Sequence, residues 1–166
     1  KFIKMISYAK SIRLINKLNF KYPVEEISIN NSLNRVSAKD IFSPSELPSS
    51  NNSAFDGYAL ASKETKKLSK KKGKKFKIIG TIAAGDNPIK YNYKKNSTVE
   101  IMTGGIIPKG FDTIIPVEKV KYFPSKLKST HITIHEELKN FSFVRFKGED
   151  YKFKDIVIKK NEIIKS

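Results

Sequence analysis

The chain has no cysteine, which removes a disulfide framework, a thiolate metal site and a cysteine nucleophile together. A reducing, cytoplasmic setting is the expectation. No apolar run approaches the ~20 residues that span a bilayer, and 1–6 is too short and interrupted to be the core of a signal peptide. A soluble protein with no membrane partner is expected. Arginine is scarce as well: of 33 basic residues, only Arg13, Arg35 and Arg145 are arginine. Planar bidentate recognition of phosphate and guanine edges favours arginine over lysine. The net charge of +17 is therefore read first as a compositional lysine excess, and nucleic acid is not the expected partner.

What is present is enough to fold. A chain of 166 residues with 39% hydrophobic content can bury a core and falls outside the disordered class. Met5, Tyr8, Ala9, Ile12, Ile15 and Leu18 recur at helical spacing, with Ser7 as a candidate N-cap and the Tyr22-Pro23 step closing the segment. The segment 24–29 alternates weakly, a short helical turn is expected over 31–34, and 36–42 reads as a strand before Pro44. From Ser43 onward prolines punctuate short β-prone runs. Strands are expected over 58–61, 76–83, 98–102, 113–117 and 131–135. The stretch 66–77 holds eight lysines around Gly73, a self-repelling composition suited to an exposed loop or hairpin arm.

Three blocks could carry chemistry. The run from Asn51 through Asn52, Ser53, Ala54, Phe55, Asp56, Gly57, Tyr58 and Ala59 brings small polar residues to an Asp-Gly pair, which alone reads as a tight turn. Ile101-Met102-Thr103-Gly104-Gly105 puts a hydroxyl and two glycines at a strand end, where backbone N–H groups could converge on an oxyanion. Arg145-Phe146-Lys147-Gly148-Glu149-Asp150 sets basic side chains ahead of two carboxylates. There Arg145 and Lys147 could hold an anion and Asp150 a magnesium ion. His131 and His135 share one face of a strand without a third ligand, so zinc is not expected. No serine sits in a Gly-x-Ser-x-Gly elbow, which removes that hydrolytic triad.

Together the blocks carry a resemblance. SPSELPSSNNSAFDGYAL resembles the DGYA signature of the MoeA and gephyrin E-domain family, the molybdopterin molybdotransferases. GTIAAGDNP followed by STVEIMTGGIIPKGFDTIIPVEKV resembles the family's AAG turn and MTG stretch, and VRFKGEDYKFKDIVIKKNEII its GED segment. The resemblance implies an α+β fold, with an elongated mixed helix and strand domain from 1–42 and 145–166. A β-rich second domain is inserted over 43–144. It also implies a transferase that, in its full-length form, inserts molybdate into adenylylated molybdopterin, giving molybdenum cofactor and AMP with the help of Mg2+. The family's active-site aspartate falls on Asp56, its threonine on Thr103 and its GED aspartate on Asp150. Asp56 and Asp150 are then the candidate metal ligands. Asn52, Ser53, Gly104, Gly105, Arg145 and Lys147 are the candidate substrate and anion contacts.

Two departures from the family pattern stand out. Asn51 replaces the aspartate many relatives carry before NSA, and the basic cluster before GED is thinned to Arg145, Phe146 and Lys147. The family's pterin-binding third domain and its fourth domain have no counterpart in these residues. The resemblance further implies a homodimer in which the second domain of one subunit leans over the third domain of its partner. This region alone is accordingly expected to be inactive. A basic nucleic-acid-binding β module and a non-catalytic scaffold are the competing readings; the first explains the charge but none of the motifs.

Overall fold

The structure is a computed structural model that describes residues 5–18, 20, 22–88 and 91–165. Residues 1–4 of the amino-terminal stretch considered above lie outside the described residues. The chain forms two compact units, Lys1–Ile41 with Ile158–Ser166, and Phe42–Val157. Strands dominate and the one described α-helix is short, so the fold is α+β.

In the first unit helix α1 (Tyr8–Asn16) starts where the sequence places it. Ser7 is extended and its hydroxyl accepts the Lys10 N–H, satisfying one of the donors that a helix start leaves free. The helix buries none of its residues, although its apolar positions repeat at helical spacing. The turn expected over 31–34 lies slightly earlier, as a 3-10 turn over Ile29–Asn31. The strand expected over 36–42 is interrupted. Val36 forms a lone bridge with Ile163, and a regular strand begins only at β1 (Ile41–Phe42), at the edge of this unit. Between them the Ser37 hydroxyl donates to the Lys39 carbonyl at 2.6 Å, a local bond that competes with a ladder.

The second unit is built on six strands: β3 (Gly57–Leu60), β4 (Lys74–Ile82), β5 (Ser97–Ile101), β6 (Thr113–Pro116), β7 (Lys121–Phe123) and β8 (His131–Ile134). Their spatial order is β6-β3-β5-β4-β8-β7, antiparallel except for the parallel β4–β5 pair. Strand alternation distributes the core over both faces of the sheet. Tyr58 and Leu60 join Phe76, Ile115, Ile132 and Ile134 on one side. Ala59 joins Ile82, Val99, Ile101 and Ile114 on the other. That explains why β3 and β6 are buried at every position.

The sequence places β4 two residues late. Lys74 and Lys75, read as part of an exposed lysine arm, pair with Ile134 and Thr133 of β8. Lys75 and Lys77 stay exposed, while Phe76 between them is fully buried and Lys74 is half-buried against Glu64. Strand β7, not anticipated, pairs on the far side of β8.

Residues 145–157 group with the second unit. They do so through backbone bonds: Gly148 and Asp150 donate to Pro48 and Leu47 at 2.9 Å each, and Lys154 donates to Ser43 at 3.0 Å. At the start of this segment β9 (Val144–Arg145) pairs antiparallel with β2 (Asn52–Ser53).

Candidate functional site

Asp56 ends the approach to β3, and Thr103 follows β5. These strands are neighbours with Gly57 opposite Ile101, so register alone brings the two residues together. Thr103 donates twice to Asp56 Oδ1, from its backbone N–H at 2.7 Å and from its hydroxyl at 2.8 Å. Those two bonds, the backbone one foremost, hold the Asp56 carboxyl below its ordinary value. Asp56 is therefore an anion at any pH above the usual carboxylate range, and its Oδ2 is unused among the described residues. Gly57 is required here by close packing: a Cβ would lie 2.2 Å from the Ile115 carbonyl oxygen.

Strand β2 joins this pair to the GED segment. Ser53 exchanges backbone bonds with the glycine pair, Gly104 N–H to Ser53 O at 2.8 Å and Ser53 N–H to Gly105 O at 2.9 Å. Asn52 stands opposite Arg145. Arg145 in turn reaches Asp150, its Nη2 lying 2.7 Å and 2.6 Å from the two carboxylate oxygens. All nine residues singled out in the sequence thus lie in the second unit, connected through β2.

Their available chemistry differs from the expectation in four places. The N–H groups of Thr103, Gly104 and Gly105 go to Asp56, Ser53 and Met102, so the described geometry provides no open N–H cradle there. The glycines serve shape instead. Gly104 has φ +80, and a Cβ on Gly105 would lie 2.8 Å from Ile101. The buried Ser53 hydroxyl is consumed by a local turn, donating to Phe55 O at 2.5 Å. Lys147 is ion-paired with Glu46 at 2.6 Å, so its charge is already answered. Asp150 has both oxygens on Arg145, and no group of three or more His, Cys, Asp or Glu suited to a metal occurs among the described residues.

Three features were not read from the sequence. Asn52 Oδ1 is buried without a hydrogen-bond partner. Asn51, noted only as a departure, accepts the Lys147 N–H at 2.9 Å and so ties the two motif blocks together. Glu64, away from the motifs, accepts from Lys74 Nζ at 2.9 Å, from the Asn96 N–H and from the Tyr93 hydroxyl. Burial alone would raise the Glu64 carboxyl, but the bonds from Tyr93, Lys74 and Asn96 outweigh it and hold it low. The same bond to Glu64 pushes the Tyr93 phenol up to about 12. No local pattern signals such a hub, because its members are separated in sequence.

A family model described as the MoeA N-terminal region (domain I and II) matches residues 6–166. The molybdopterin molybdenumtransferase of Staphylococcus epidermidis is 30% identical over 161 residues, covering 97% of this chain and 37% of the relative. That of Haemophilus influenzae is 33% identical over 146 residues, covering 88% and 34%. The crystal structure of the molybdopterin biosynthesis MoeA protein from Pyrococcus horikoshii OT3 superposes with a TM-score of 0.83 at 25% identity, over 98% of this chain and 41% of that one. The chain thus spans little more than a third of the length of these curated relatives.

Proposed function

Because the chain belongs to the MoeA N-terminal region family, we propose that its second unit forms one wall of a molybdotransferase site. The reaction takes adenylylated molybdopterin and molybdate to molybdenum cofactor and AMP. The observation that carries this reading is the double hydrogen bond from Thr103 to Asp56, which joins the DGYA and MTGG blocks across neighbouring strands. Asp56 presents an ionised carboxylate with one open oxygen, suited to ligate a metal or to face a cationic group. Thr103 acts through Asp56, fixing its orientation. Arg145 uses only Nη2 on Asp150, which leaves Nε and Nη1 free to donate to an oxyanion.

Mg2+ would reduce the repulsion between molybdate and a phosphorylated substrate. Among the described residues the oxygen this wall leaves open to it is Asp56 Oδ2, a hard donor of the kind magnesium takes, with substrate phosphate and water completing the shell. Asp150 would join only after releasing Arg145. A second subunit that closes the site belongs to the same reading. So does a cytoplasmic setting, in keeping with a chain that has no cysteine.

The test is a chimera in which residues 6–166 replace the matching region of the Staphylococcus epidermidis relative. It is assayed for AMP release from adenylylated molybdopterin with molybdate and Mg2+. An active chimera is expected to lose on the order of 10²-fold or more on Asp56→Asn, the range of a preorganised electrostatic group. AMP release at the parental rate in that variant would remove Asp56 from the chemistry.

A further inference from the structure

Four phenylalanines flank the site, and each exposes its ring. Phe55 precedes Asp56 and packs edge-to-face on Phe143 at 4.9 Å between centroids. Phe146 follows Arg145 and packs likewise on Phe141 at 5.3 Å. Their exposures are 49% for Phe55, 39% for Phe143, 48% for Phe141 and 42% for Phe146. Rings that only filled a core would be closed off, as Phe76 is.

The backbone adds an independent observation. Phe141 and Phe143 have φ of +60 and +56, a left-handed conformation that glycine and asparagine adopt far more readily than a bulky aromatic. Strain of this kind persists where the surroundings over-determine it, and it clusters at ligand sites. Here the two strained residues bring their rings against Phe55 and Phe146, the sequence neighbours of Asp56 and Arg145.

We propose that these rings form a stacking platform for a planar nitrogen heterocycle attached to phosphate. The inference rests on the molybdotransferase reading, whose substrate carries two such rings, a pterin and an adenine. It deepens that reading by assigning ring recognition to this wall. Arg145 supplies the donors for the phosphate, and the phenylalanines supply the ring faces. Edge-to-face pairs leave aromatic surface open for an offset-stacked third ring.

The test is a titration of the 166-residue chain, followed by the aromatic and amide resonances of Phe55, Phe141, Phe143 and Phe146. The separate ligands are AMP, 6-hydroxymethylpterin phosphate and inorganic phosphate. AMP or the pterin phosphate is expected to shift the ring resonances, and inorganic phosphate alone to leave them in place; whichever ligand acts identifies the ring. Phe143→Asn removes the ring at a φ that asparagine accepts. It is expected to keep or raise the Tm while weakening binding about 5- to 100-fold, the range of one stacked ring.

Unmoved ring resonances at millimolar ligand overturn the proposal, as does unchanged affinity in Phe143→Asn. Sedimentation showing self-association of the parent that Phe143→Asn abolishes would give the patch to a second copy of the chain and overturn it equally. The chimera separates the two claims. AMP release lost in Asp56→Asn but with KM and kcat intact in Phe143→Asn sinks the platform and leaves the function standing. Undiminished release in Asp56→Asn, beside a raised KM in Phe143→Asn, sinks the proposed role of Asp56 and leaves the platform.

Discussion

In the second unit Tyr58, Phe76, Ile132 and Ile134 are closed off from solvent, whereas in the first Met5, Tyr8, Ile15 and Leu18 are each more than half exposed. Both sets are apolar and both follow the period of their element. The difference lies in what each element meets within the described residues. A strand inside a six-stranded sheet has neighbours on two edges and packing on two faces. Helix α1 is defined by its cap and its own backbone bonds, with no residue buried. Periodicity specifies which residues share a face, and burial requires a second surface.

Three substitutions sharpen this contrast. Phe76→Ala empties a fully buried ring site and is expected to destabilise the second unit by about 3–5 kcal/mol. Chemical denaturation followed by the near-ultraviolet signal of the tyrosines checks this, and a loss below about 1 kcal/mol would mean the two-faced core is not what holds the sheet.

Glu64→Gln comes next, with an expected loss of about 1–3 kcal/mol at neutral pH, because it removes a nearly buried charged acceptor from three donors. Its pH dependence has a definite sign. The native carboxyl titrates below its ordinary value, so its contribution is fully present above that value and fades as pH falls through the lowered one. The parent and the variant should therefore converge in stability under acid. A gap that stays constant with pH would show that shape, not charge, is what Glu64 contributes.

Smallest of the three, Ser7→Ala removes the α1 cap and is expected to weaken that helix by about 1 kcal/mol. The far-ultraviolet helical signal should fall while the unfolding midpoint of the second unit stays put. A coupled drop in both would erase the distinction between the units.

How much of this was legible depends on the distance over which each feature is encoded. Strands β5 and β8 were found within a residue or so, since alternation over four or five positions is a local signal. Strand β7 was missed because Lys121, Tyr122 and Phe123 carry no such pattern and become a strand only beside β8. The start of β4 was hidden because a lysine run resembles a loop until Phe76 is seen to be buried between the lysines.

The site divides in the same way. The blocks around Asp56, Thr103 and Asp150 could be named from the sequence, since motifs are contiguous. Their partners could not. Whether Gly104 N–H meets an oxyanion or Ser53, and whether Lys147 meets a substrate or Glu46, depends on segments far apart in the chain.

The sequence by itself therefore determined the family, the α+β class, the capped helix and the motif residues, because each is written in neighbouring positions. Tertiary structure alone decided which donors are already satisfied, which glycines are there for space, and which phenylalanines stand open beside the site. Hydrogen-bond satisfaction and burial are properties of pairs of surfaces, and the pairing of β2 with β9 and of β3 with β5 exists only once the chain has folded.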